Sequence, residues 1–272
     1  MSQAMAERLP RGRSGFPQAV RMEWIKARTL RSTWWIAALT LAGMIGLAIV
    51  VLRWYPSHWA HLSRAQRASF DPVSDGFTGL ALAQLLMAAF GVLAITSEYS
   101  GGMIRTTLAA VPRRPVMLAA KAAVIGAIAL VAGEVSALGT FFAGELTLSR
   151  PVPHVTLGDP GVIRAVLLAG AYLGLIALIG LGVGAIVRRS AAGIAIIAGL
   201  ICVLPPVTLA LPENVQHSVQ RFFPEIIAED SLTVIKPVAH SLSAWAGLGM
   251  LCLYAAVLLS AGGWLLARRD AG

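Results

Sequence analysis

The chain has 272 residues, of which 57% are apolar and only 13% charged, where soluble domains carry roughly 25% charged residues. A mean hydropathy of +0.74 and several long uncharged runs exclude a soluble globular core; the chain reads as one polytopic membrane domain. The net charge of +9 would suit a nucleic-acid partner, but the placement of the charges argues against one.

Residues 1–19 are basic and carry Pro10, Gly12, Gly15 and Pro17, which predicts a disordered N-terminus. From about Val20 a helix is expected, with Val20, Trp24 and Ala27 as a narrow apolar stripe. Trp24, Lys26 and Arg28 mark it as an interfacial helix on the cytosolic surface. A cleaved signal peptide does not fit, because the apolar run that follows is too long and no small-residue cleavage site follows it.

Residues 20–272 then read as a transmembrane domain with six spans, at about 34–52, 76–96, 116–142, 162–187, 191–211 and 242–266. Trp34 and Trp35 mark one interface of span one, Trp54 and Tyr55 the other. Pro205 and Pro206 break the outer end of span five. Gly170/Gly174 and Gly180/Gly184 in span four predict close helix packing, within the chain or between protomers. Phe222, Phe223, Ile226 and Ile227 predict short re-entrant or interfacial helices before span six; a simple outer loop is the alternative. Cys202 and Cys252 lie within apolar runs and read as packing residues.

With both termini in the cytosol, 15 of the 22 basic residues fall inside and 7 outside, while the acids divide as 4 inside, 7 outside and two in or near span three. Topology and anionic lipid therefore account for the whole basic excess, and no nucleic-acid partner is needed.

Between spans two and three lies Ser97–Pro115, SEYSGGMIRTTLAAVPRRP. Ser100, Gly101 and Gly102 can start a short helix on which Ile104, Leu108 and Val111 share a face, and Pro112 stops it. Such an element is either a handle for a cytosolic partner or a solvated loop whose charges fix orientation. Glu134 is the one acid well inside a span, which makes it a transport-pathway candidate; a structural helix–helix hydrogen bond is the bland alternative. No P-loop sequence occurs, so ATP cannot bind through one here, and neither H-E-x-x-H nor G-x-S-x-G is present. His58 and His61 have the spacing of two metal ligands, but no third ligand lies near in sequence and no metal site is expected.

Glu98-Tyr99-x-x-Gly102-x-x-Arg105-x-x-Leu108, followed by Pro112-x-Arg114, resembles the segment after the second span of type-2 ABC exporter permeases. The six-span plan, the basic helix before span one and the short link after span four are also similar. Met103 departs from the pattern, since many members carry threonine there. The resemblance implies an all-α polytopic permease with a cytosolic coupling helix between spans two and three. It implies no enzymatic activity and no cofactor in this chain, ATP and Mg being bound by a separate cytosolic ATPase subunit. Its partners would be that ATPase, membrane lipid and a second permease chain, identical or related. The residues implied in coupling are Glu98, Tyr99, Gly102, Ile104, Arg105, Leu108, Pro112, Arg113 and Arg114, with Glu98, Arg105 and Arg113 making charged contacts to the ATPase. The setting would be a bacterial plasma membrane, and the cargo an amphipathic compound that the sequence does not identify, with peptide antibiotics, other drugs and lipids all open. The competing classes are a proton-coupled secondary transporter and an intramembrane enzyme, each built on Glu134.

Overall fold

In a computed structural model, residues 15–103, 107, 113–234 and 242–268 are described. Among them there is no strand, and six helices or helical runs are long and apolar enough to cross a membrane. In chain order the helices are α1 (Phe16–Thr29), α2 (Arg31–His58), α3 (Arg64–Ser69), α4 (Pro72–Gly76), α5 (Leu80–Ser100) and α6 (Arg114–Thr147). They continue as α7 (Val162–Val187), α8 (Ser190–Ala198), α9 (Leu204–Val207), α10 (Glu213–Gln220), α11 (Pro224–Leu232) and α12 (Ala244–Arg268). The apolar runs expected as spans coincide with α2, α5, α6, α7, the α8–α9 run and α12.

Three local differences from the sequence expectation have physical causes. Helix α1 begins at Phe16 rather than near Val20, so residues 16–19 are helical and not disordered. Pro17 sits in its first turn, where a missing N–H costs nothing and the fixed φ suits a helix. The Pro205–Pro206 pair does not end the fifth apolar run: a π turn over Gly199–Val203 leads into α9, whose first turn holds both prolines. That wider turn absorbs the carbonyl clash and lost hydrogen bonds that prolines impose on a regular helix. Cys202 and Cys252 are both exposed rather than packed in the core.

The centre of the bundle is α7, with 72% of its most apolar window buried, against 22% for α2, α8–α9 and α12. It packs on α5, α6 and α12, with α8 and α11 at its ends. Glycines make this possible. A side chain added at Gly180 would run into the backbone carbonyl of Ala88, and one at Gly91 into that of Ala177, so α5 and α7 meet backbone to backbone. On α6, Gly133 lies against Gly170 and Leu173 in the same way. The glycine pairs of span four therefore serve packing within the chain.

At the predicted outer end the two short helices α10 and α11 are present. Ile227, Ala228 and Leu232 of α11 are buried, Ile227 pressing on Gly247 of α12. Asp71 caps α4 by accepting from the Val73 and Ser74 amides through Oδ1, and its Oδ2 accepts from the Val234 amide at 2.8 Å. One carboxylate thus pins the end of α11 to the start of the α4–α5 run.

Candidate functional site

The densest arrangement of charge lies at the predicted inner end, where α1, the last turn of α5 and α6 converge. Ala19, Glu23 and Ala27 recur every four residues, so they share one face of α1, and that face is the buried one. Ala19 packs on Met117 and Ala120 of α6, and the small side chain lets the helices approach closely. Glu23 is thereby carried inward. Its Oε2 lies 2.6 Å from Lys121 Nζ on α6, and its Oε1 lies 2.6 Å from Lys26 Nζ. The Oε1 of Glu98, from α5, accepts from both ammonium groups, at 2.7 Å from Lys26 and 2.6 Å from Lys121.

Two carboxylates and two ammonium groups therefore alternate in a closed ring with no net charge. Three members are almost fully buried, with side chains only 3–5% exposed, and Lys26 alone reaches the surface at 30%. Isolated charges would not survive such burial; four that pair with one another can, and Glu98 Oε2 is left as a buried oxygen with no hydrogen-bond partner among the described residues. Burial by itself would lower the Lys26 pKa, but the hydrogen bonds and charges of Glu23 and Glu98 outweigh it and hold the ammonium above its usual value. A raised lysine pKa adds stability below the unfolded value that is lost as pH rises through the folded one, so Lys26 keeps its charge at neutral pH.

The residues expected at a partner surface separate into three groups. Glu98 is a correction: it faces the bundle and is consumed by two lysines of its own chain, because Lys26 and Lys121 offer the desolvated carboxylate a nearer partner than solvent would. Lys26 likewise points into the ring rather than only to the surface, while Trp24 and Arg28 of the same helix are exposed. Tyr99 is half-buried with the Arg188 guanidinium 5.2 Å above its ring, and Arg114 donates to the Leu266 carbonyl at 2.6 Å, tying α6 to α12. Gly102, in the left-handed region at φ 68°, and Arg113 are exposed. Ile104, Arg105, Leu108 and Pro112 lie outside the described residues. Of Val20, Trp24 and Ala27, the apolar stripe expected on α1, only Ala27 is buried, and it shares the buried face with Ala19 and Glu23. An acid on a helix face reads as solvated, and only the distant Lys121 reveals otherwise.

Glu134 sits on α6 with its carboxylate against Gly170 of α7, so that a side chain at Gly170 would overlap it. Its Oε2 is buried without a hydrogen-bond partner among the described residues.

At the opposite end a cavity of about 550 Å³ opens between α4, the start of α5, α10 and α11. Asp75, Glu225, Glu229 and Asp230 line it with, among the described residues, a single cation, Arg221. Its inner wall includes Gln84, which accepts from the Tyr172 hydroxyl. Burial pushes the carboxyls of Glu225, Glu229 and Asp230 above their usual range, and for Glu229 the neighbouring charges of Glu225 and Asp230 add to the effect. Raised acid pKa values mean that the folded cap binds protons more tightly than the unfolded chain, so stability falls as pH rises through them. The protection of α11 amides, taken relative to the intrinsic exchange rate at each pH, is expected to be greater in mildly acidic buffer than at neutral pH. Glu229→Gln should narrow that difference; an unchanged difference would show that the three acids do not couple to the cap.

Among the described residues no three or more His, Cys, Asp or Glu cluster as a metal site. His58 instead stacks on Trp54 at 4.4 Å. The chain matches no protein-family model, and no curated protein matches it.

Proposed function

We propose that this chain is the membrane permease subunit of an ATP-driven exporter, worked by a separate cytosolic ATPase that binds ATP and Mg. The observation that carries the reading is the four-charge ring. It fastens α1, the α5 end that leads into the Ser97–Pro115 segment, and the start of α6 into one unit at the predicted cytosolic face. A force applied to that segment would reach three helices together and, through α6, the glycine-faced α7. Gly102 and Arg113, exposed at the two ends of the segment, would contact the ATPase together with Arg105 and Leu108. In this reading Glu98 acts as the anchor of the segment and not as its contact residue. The protein would sit in a bacterial plasma membrane with both termini cytoplasmic, pair with a second permease chain, and move an amphipathic compound.

Purification from the native membrane in mild detergent tests this directly. An ATPase with a P-loop should accompany the chain in near-equal amount and be lost on Arg105→Glu, with the helices still folded. Absence of any ATPase under mild conditions would overturn the reading.

A second reading, proton-coupled transport, has one observation in its favour: Glu134 Oε2 has no hydrogen-bond partner among the described residues in the α6–α7 interface. It requires Glu134→Gln to abolish transport driven by a pH gradient, whereas an ATP-driven permease would keep its ATP dependence in that variant.

A further inference from the structure

A second cavity, of about 500 Å³, runs along the outside of the bundle between α1, α2 and α6. Its walls are small or apolar, among them Ala37, Ala38 and Leu41 of α2 and Val131 and Ala132 of α6. It follows α6 from residue 127 to residue 136, nine helical steps, or about 14 Å at 1.5 Å per step. Among the described residues no acid lines it, and Arg28 stands at its α1 end between Trp24 and Trp34, both exposed. Arg28 makes no ion pair among the described residues. Arg21, two turns earlier on the same face of α1, and Arg31, at the start of α2, are exposed too. The only acid of α1, Glu23, is already neutralised in the ring.

We propose that this groove holds one anionic phospholipid, its headgroup on Arg28 and an acyl chain lying between α2 and α6. The shape asks for a slender apolar occupant and the rim for a negative one, and two tryptophans bracket the boundary between them. A second copy of the chain suits the groove poorly. Two-fold pairing through this face would bring the same basic rim against itself. The site does not depend on the exporter reading, since it needs only a bilayer around the six helices.

The test is native mass spectrometry of the full-length, delipidated protein given either phosphatidylglycerol or phosphatidylcholine. One phosphatidylglycerol per chain should survive activation that strips phosphatidylcholine. Arg28→Glu, at an exposed position that leaves packing intact, should reduce its retention at least about fivefold, the factor for losing one basic residue beside an anionic lipid. Ala132→Phe, which fills the groove, should remove both lipids. Equal retention of the two lipids by the wild type, or undiminished phosphatidylglycerol in Arg28→Glu, overturns the proposal. So does an Ala132→Phe variant that splits a dimer yet keeps its lipid, which would assign the groove to a second copy.

Discussion

Lys121→Met should destabilise the protein by about 3–5 kcal/mol, the range for breaking a buried ion pair by removing one partner. Lys121 touches both carboxylates, and with side chains 4–5% exposed neither Glu23 nor Glu98 can recover hydration where it stands. Lys26 would remain as their only counter-charge. The cost comes from two uncompensated carboxylates more than from a lost attraction, so neutralising them should recover it. The triple variant Glu23→Gln, Glu98→Gln, Lys121→Met is expected to unfold closer to the wild type than Lys121→Met alone, because the one remaining charge, Lys26, reaches water. Thermal unfolding in detergent measures both. A single variant within about 0.5 kcal/mol of the wild type would place Lys121 among ordinary surface changes and break the account of the ring.

Gly180→Leu should cost about 3 kcal/mol or more, the upper end for overpacking, because the obstruction is the Ala88 carbonyl and not a side chain that can swing aside. Gly91→Leu meets the Ala177 carbonyl from the other helix and should behave alike. The comparison that gives these numbers meaning is Gly46→Leu on α2, where an added Cβ meets nothing within 4 Å. That variant should unfold with the wild type. If all three lose the same stability, the effect belongs to glycine in helices generally and not to the α5–α7 contact.

The six long helices were legible because a bilayer-length apolar run is a local signal that needs no partner. The close packing of span four was legible for a similar reason: Gly180 and Gly184 recur at small-x-x-x-small spacing. Which helix they face was not, since Ala88 and Val92 carry no complementary mark. The ring was hidden by distance. Glu98 stands 72 residues from Lys26 and 23 from Lys121, and nothing in its neighbourhood separates a buried anchor from a surface contact. Glu134 could be singled out from sequence because an acid within a span is costly wherever it points; its place against Gly170 could not. At Pro205–Pro206 the sequence reading ended the helix, because proline rules assume α geometry and the π turn before them departs from it.

The ring also imposes an order of biogenesis. Its four members are synthesised as Glu23, Lys26, Glu98 and Lys121, and the last of them contacts both carboxylates. Until residue 121 leaves the ribosome, α1 can neutralise Glu23 only with its own Lys26, three residues along. That local pair leaves the helix free to stay at the membrane surface. The docking of α1 therefore waits for α6, and a nascent chain cut short before Lys121 would expose two carboxylates at its base.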